Sequence, residues 1–156
     1  MAVINSPIEA HPIDIASAFS QKGLSGKQQR VLEELPSFGS AAVFNKRDVS
    51  MLDLSAMTAA TGDEFTMFTL KNERLIVRGD SVGVPLRPHE LSRLDMQGYR
   101  WSGHTHPGTT LAHLNVSKGD VEVLKCFRQK RSSVYNAAGR CAVYDASGGF
   151  DVIERR

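Results

Sequence analysis

The sequence predicts a mixed α/β domain of the α+β kind, with a central, mostly antiparallel sheet flanked by helices. Three observations carry that prediction. Runs with a two-residue apolar period alternate along the chain with runs of helical period. Glu64-Phe-Thr-Met-Phe-Thr-Leu, a turn at Lys71-Asn72-Glu73 and Arg74-Leu-Ile-Val-Arg-Gly make a hairpin, and strands joined by so short a turn are antiparallel. The 156 residues are one domain's worth, enough to bury about two thirds of the unfolded surface in a single core.

Taken in order, residues 1–14 read as extended, because Pro7 and Pro12 break regularity, and Ile15 to Phe19 make a short helical turn. Ser25 and Gln28 fit a capping box that opens a helix over Gln28-Gln-Arg-Val-Leu-Glu-Glu-Leu, and Pro36 ends it. Residues 1–36 are thus an N-terminal arm with a short helix, and 37–156 the main domain. A turn over Ser37 to Ser40 leads to a strand in Ala41 to Ser50, and a helix starting at Asp53 carries Leu54, Met57 and Ala60 on one face until Gly62. After the hairpin, Val82-Gly-Val-Pro-Leu reads as a further strand piece. Pro88 to Met96 forms a helix with Leu91 and Leu94 inward and Gly98 closing it. The next strand ends at Pro107-Gly108, since proline cannot donate to a ladder. A helix follows Asp120, with Val121, Leu124 and Phe127 at helical spacing, and three strands end the chain around turns at Ala138-Gly-Arg and Gly148-Gly149.

Composition removes several classes of function. No apolar run approaches the roughly 20 residues that span a bilayer, which argues against membrane integration, and the N-terminus lacks the basic start and apolar core of a secretory signal. A net charge of +2 is too small for the basic footprint of a dedicated nucleic-acid binder. Lys125, Arg128, Lys130 and Arg131 read as a solvated helix end. Cys126 and Cys141 show no C-x-x-C spacing and read as buried free thiols.

Chemistry concentrates in Trp101 to Asp120, WSGHTHPGTTLAHLNVSKGD. Residues two apart on a strand share a face, so His104 and His106 project side by side at a strand end. Asp120 falls in a first helical turn. Imidazole nitrogen and carboxylate oxygen suit a zinc ion, and a catalytic zinc takes three protein ligands and leaves a position for water. His104, His106 and Asp120 supply three, and Glu64 is the candidate base for the water. Glu73, in the same run, faces the site if the hairpin register differs.

The distant glutamate, the H-x-H-P at His104 to Pro107 and the S-x-x-D at Ser117 to Asp120 resemble the signature of the JAMM (JAB/MPN+) zinc metallopeptidases. The resemblance covers Glu64 to Tyr144 and implies a single JAB/MPN-like domain over 37–156. It further implies that His104, His106 and Asp120 bind Zn2+, that Glu64 activates water and that Ser117 stabilises the oxyanion. The chain departs from the pattern in two ways. Ten residues, Pro107 to Val116, separate the second histidine from the serine where the family's usual spacing is seven, and the proline that often precedes the serine is absent. Both changes bear on Ser117 and on the groove. The run is more similar to JAB-like domains of bacterial polymorphic toxins than to eukaryotic deubiquitinases. That implies a protein or peptide substrate, an immunity protein as partner, and a place in the cytoplasm or in a secreted effector exported without a conventional signal.

Each motif also has a plainer structural reading. Ser117 and Asp120 make a capping box on their own, and an H-x-H pair on a strand is commonly two surface imidazoles. His113 reads as a loop residue able to serve as a spare ligand, and His11 and His89 as surface residues. Two other functions stay open on the sequence. One is a metal-independent nuclease using His104 or His106 as acid and base with Lys118 and Arg131 on phosphate. The other is a non-catalytic MPN-type interaction scaffold.

Overall fold

The computed structural model describes residues 23–153; the extended arm, the Ile15 to Phe19 turn, His11 and the last three residues lie outside them. Among the described residues the order is α1 (Gly26–Glu33), β1 (Ala41–Asn45), α2 (Met51–Thr61), β2 (Phe65–Leu70), β3 (Glu73–Arg78) and α3 (Pro88–Gln97). Then come β4 (Arg100–His106), a 3-10 turn (Leu111–Leu114), α4 (Lys118–Cys126), β5 (Arg131–Asn136), β6 (Cys141–Asp145) and β7 (Phe150–Ile153). The seven strands form one sheet in the order β1-β3-β2-β4-β5-β6-β7. All pairs are antiparallel except β4 with β5. The expected α+β architecture with a mostly antiparallel sheet is the one observed.

Helices cover both faces of the sheet. On one face Leu91 of α3 and Leu124 of α4 pack with Phe68, Trp101, Val134 and Tyr144. On the other, Val31 and Leu32 of α1 and Leu54 and Met57 of α2 pack with Phe65, Met67 and Ile76. This two-sided burial explains why β2 shows four buried residues in succession rather than a solvent-facing alternation. The helix starts are local chemistry. Ser25 and Gln28 form the expected capping box on α1, and Gly62 and Gly98 close α2 and α3 in the left-handed conformation.

Four expectations are corrected. Val82 to Leu86 is not a strand but a loop tied by a side chain: Asp80 Oδ1 accepts from the Val82 and Gly83 amides, and Asp80 N–H donates to Gly83 carbonyl. The β1 strand stops at Asn45, whose side chain turns the backbone by accepting from Arg47 N–H. Helix α2 begins at Met51 because Ser50 and Asp53 form a capping box upstream of the expected start. Cys126 is half-buried, and only Cys141 is a buried thiol.

One crossover positions everything that follows. The parallel partners β4 and β5 cannot be joined by a hairpin, so the chain leaves the end of β4, passes through residues 107–117 and α4, and returns to β5. A parallel pair in a sheet opens a crevice at the carboxyl ends of its strands, where the crossover helix begins. His104 and His106 end β4, and Asp120 starts α4. The beginning of β2 lies antiparallel beside the end of β4, with Thr66 opposite His104, which delivers Glu64 to the same crevice.

Candidate metal centre

The imidazole rings converge with their Nε2 atoms 3.0 Å apart. Asp120 Oδ1 lies 3.3 Å from His104 Nε2, and its Oδ2 lies 3.7 Å from His106 Nε2. Glu64 Oε1 is 3.5 Å from His106 Nε2. Glu64, His104 and His106 offer ligand atoms all within 4.8 Å of one another. The sequence-derived ligand set and this geometric set share the two histidines and differ in the carboxylate. Glu73, the alternative base, opens β3 at the far end of the hairpin, is exposed, and accepts from Tyr99 Oη at 3.5 Å. It does not reach the centre.

The groups packed behind the two rings decide which atoms face inward. His113 carbonyl lies 3.1 Å from His106 Nδ1, and a carbonyl only accepts, so Nδ1 carries the proton and Nε2 presents a lone pair. Around that lone pair stand two carboxylates and a second imidazole. A set so rich in acceptors is satisfied by shared protons or by a cation, and this is the observation by which the residues fit a metal ion. His104 is held differently. Its ring is buried, stacked on Trp101 at 5.1 Å and edge-on to Tyr144 at 6.1 Å, and its Nδ1 has no hydrogen-bond partner. Aromatic packing therefore orients this ring.

The expected longer loop is the part that holds His106. Thr110 N–H and Oγ1 donate to His113 Nδ1 at 3.2 and 2.8 Å. Thr110 carbonyl accepts from the side chain of Asn136, a fully buried residue at the end of β5, and Gly108 carbonyl accepts from Ala137 N–H. Gly108 has φ +103°, and a Cβ there would overlap the His113 ring. Between the two histidines, Thr105 points to the opposite face, where its Oγ1 bonds Thr58 Oγ1 of α2 at 2.6 Å and accepts from Phe65 N–H at 2.9 Å. That fixes the backbone next to Glu64. The Glu64 amide donates to Asp80 carbonyl at 2.9 Å and its carbonyl accepts from Gly79 N–H at 2.7 Å.

Electrostatics separates the two carboxylates. Burial pushes Glu64 up to about 7, with the charges of Asp120 and Asp80 adding to it and His106 opposing. Burial also works on Asp120, but the His104 and His106 imidazoles beside it outweigh that and hold the carboxyl well below the usual range. Burial moves His104 down against the pull of Asp120. For His106 burial is outweighed by the neighbouring Asp120 and Glu64 carboxylates, so the net shift is upward. In the metal-free protein one carboxylate stays anionic and the other exchanges a proton near neutrality.

Ser117 lies on the same cleft as N-cap of α4. Its Oγ accepts from Asp120 N–H, while Asp120 Oδ2 accepts from Ser117 N–H at 2.8 Å. The capping box and the site are the same residues: Oδ2 holds the helix and Oδ1 faces His104. The other sequence candidates fall elsewhere. His113 and His89 are exposed, Lys118 does not line the cleft, and Arg131 lines a separate depression with Asp145 and Phe150. Thr105, Asn136 and the His113 carbonyl support the site without any signal in the sequence that points to it.

No protein-family model matches this chain, and no curated protein matches it either. No helix among the described residues is long and apolar enough to cross a membrane.

Proposed function

We propose that this protein is a zinc-dependent hydrolase of the JAMM type that cleaves a peptide or isopeptide bond. The single observation that carries the reading is the convergence of His104, His106, Asp120 and Glu64 at the end of β4. His104 Nε2, His106 Nε2 and Asp120 hold the metal, because Asp120 approaches both imidazole nitrogens and remains anionic. Glu64 approaches only His106 and is left to handle protons. Zinc, when bound, supplies Lewis acidity toward a carbonyl and makes water acidic near neutral pH. Glu64 takes a proton from the attacking water and returns it to the leaving amine nitrogen, first as general base and then as general acid. The Ser117 hydroxyl, whose oxygen serves the helix start, still has its hydrogen to give to the carbonyl oxygen as charge develops there. A metal-independent phosphodiester reaction is disfavoured by the cleft itself, which among the described residues is lined by two carboxylates and by no lysine or arginine. The resemblance to toxin JAB-like domains supports an effector role with an immunity partner.

The test is elemental analysis of purified wild type, His106→Ala and Glu64→Gln, with turnover on a peptide and isopeptide substrate panel. Wild type holds about one zinc per chain; His106→Ala loses it. Glu64→Gln keeps zinc and loses about 10²–10⁴-fold in turnover. A wild-type protein that takes up no zinc on reconstitution overturns the reading.

A further inference from the structure

The cleft at the metal centre is larger than the centre needs. Its volume is about 340 Å³, near the lower end of the roughly 300–1,000 Å³ typical of ligand sites. Glu64, His104, His106, Ser117 and Asp120 occupy part of its lining, and the rest, apart from Thr66 and two glycines, is apolar side chains. Phe68, Leu91 and Trp101 are buried members of one core cluster, and Val84, Leu86 and Val123 pack against that cluster while remaining half-exposed in the cleft. The two parts are continuous, because the Trp101 ring stacks on His104. The apolar wall is also built rather than incidental. Its loop is held by the Asp80 side chain and by the two backbone bonds between Gly79, Asp80 and Glu64, so wall and base belong to one hydrogen-bonded unit.

We infer that this wall is a specificity subsite that takes a large apolar side chain, of leucine, methionine or phenylalanine size, directly flanking the scissile bond. The inference rests on the hydrolase reading and names the substrate class for it. An apolar side chain entering the cleft leaves water and covers half-exposed Val84, Leu86 and Val123, a gain of about 25 cal/mol for each Å² buried. An acidic side chain against this wall would be desolvated with no lysine or arginine in the lining to receive it, and it would stand in the same cleft as Glu64 and Asp120. A pocket built this way rejects acidic neighbours and prefers bulky apolar ones over glycine.

The experiment uses zinc-loaded protein and two series of metal-binding probes. N-acetyl-aminoacyl hydroxamates place a side chain on the acyl side, and mercaptoacetyl-aminoacyl amides place it on the leaving-amine side. Each series is made with leucine, glycine and glutamate, and binding is followed by fluorescence of Trp101, the single tryptophan of the chain. The expected result is leucine at least 10-fold tighter than glycine, and glutamate weakest, in one of the series. In Val84→Arg the order of leucine and glutamate reverses, a change that unfolding cannot produce. Equal binding of all three side chains in both series, with zinc in place, overturns the subsite while leaving the metal centre standing. Failure to take up zinc overturns both.

Discussion

At the residue scale the site depends on a backbone carbonyl. His113 contributes its C=O to His106 Nδ1, and its ring is held by Thr110 in the space that Gly108 leaves open. A Cβ at position 108 is strained at φ +103° and drives the ring away. Gly108→Ala should therefore weaken zinc binding by about 10–100-fold, the usual cost of losing the hydrogen-bond partner that orients a metal-binding histidine, as read by competition with a chromophoric chelator. The double variant Gly108→Ala with His113→Ala removes the overlap but keeps the backbone strain, so it should recover part of the loss. If Gly108→Ala binds zinc like wild type, the carbonyl does not set the tautomer. None of this was legible in the sequence, where the residues from Pro107 to Val116 read as an enlarged polar loop. A carbonyl is carried by every residue, so its use leaves no compositional mark. The histidine pair was legible because a two-residue spacing on a strand fixes a shared face, and Asp120 because a helix start has a local signature.

Elements defined by neighbours in sequence were readable, and those defined by partners in space were not. The capping boxes at Ser25 and Ser117 and the glycine stops at Gly62 and Gly98 each involve residues within one turn. Val82 to Leu86 has the apolar content of a strand but no neighbour to pair with, and the choice between Glu64 and Glu73 turned on hairpin register, which pairing alone decides. The start of α2 shows a local signal with a distant reinforcement. Asp53 caps Ser50 N–H at 2.8 Å and also receives Gln28 Nε2 at 3.0 Å and Lys27 Nζ at 3.1 Å from α1. Burial works to raise its pKa, yet the hydrogen bonds from Gln28, Ser50 and Lys27 outweigh it and set the carboxyl below its ordinary value. A carboxyl depressed in the folded state binds fewer protons than in the unfolded chain, so its stabilisation is complete above about pH 4–5 and is lost as pH falls through the folded value. Asp53→Asn should cost about 1 kcal/mol at pH 7. The gap between variant and wild type in urea unfolding should close in acid below about pH 4. A gap independent of pH would mean that the aspartate acts by shape rather than by charge.

At the scale of the whole molecule the proposed centre draws on three segments that the chain separates widely. Glu64 immediately precedes β2, the histidines lie at the end of β4 and Asp120 sits in the first turn of the crossover helix that leads to β5, so the crevice exists only when the parallel pair β4–β5 and the antiparallel pair β2–β4 are both formed. An unfolded chain does not present these ligands together, and an ion that binds the folded state alone stabilises it by RT ln(1 + [L]/Kd). At free zinc about 1,000 times Kd this amounts to about 4 kcal/mol, or roughly 10 °C in Tm for a domain of this length. Stripping the metal should lower Tm by that much, with the loss growing as the logarithm of zinc concentration. His106→Ala should melt at one temperature whatever the zinc concentration. Because imidazoles must be neutral to bind, the zinc-dependent part of Tm should shrink as pH falls below about 6. A Tm indifferent to zinc in wild type at pH 7.5 would show that the acceptor-rich cluster is balanced by shared protons, and that the fold assembles it for a purpose other than holding a metal.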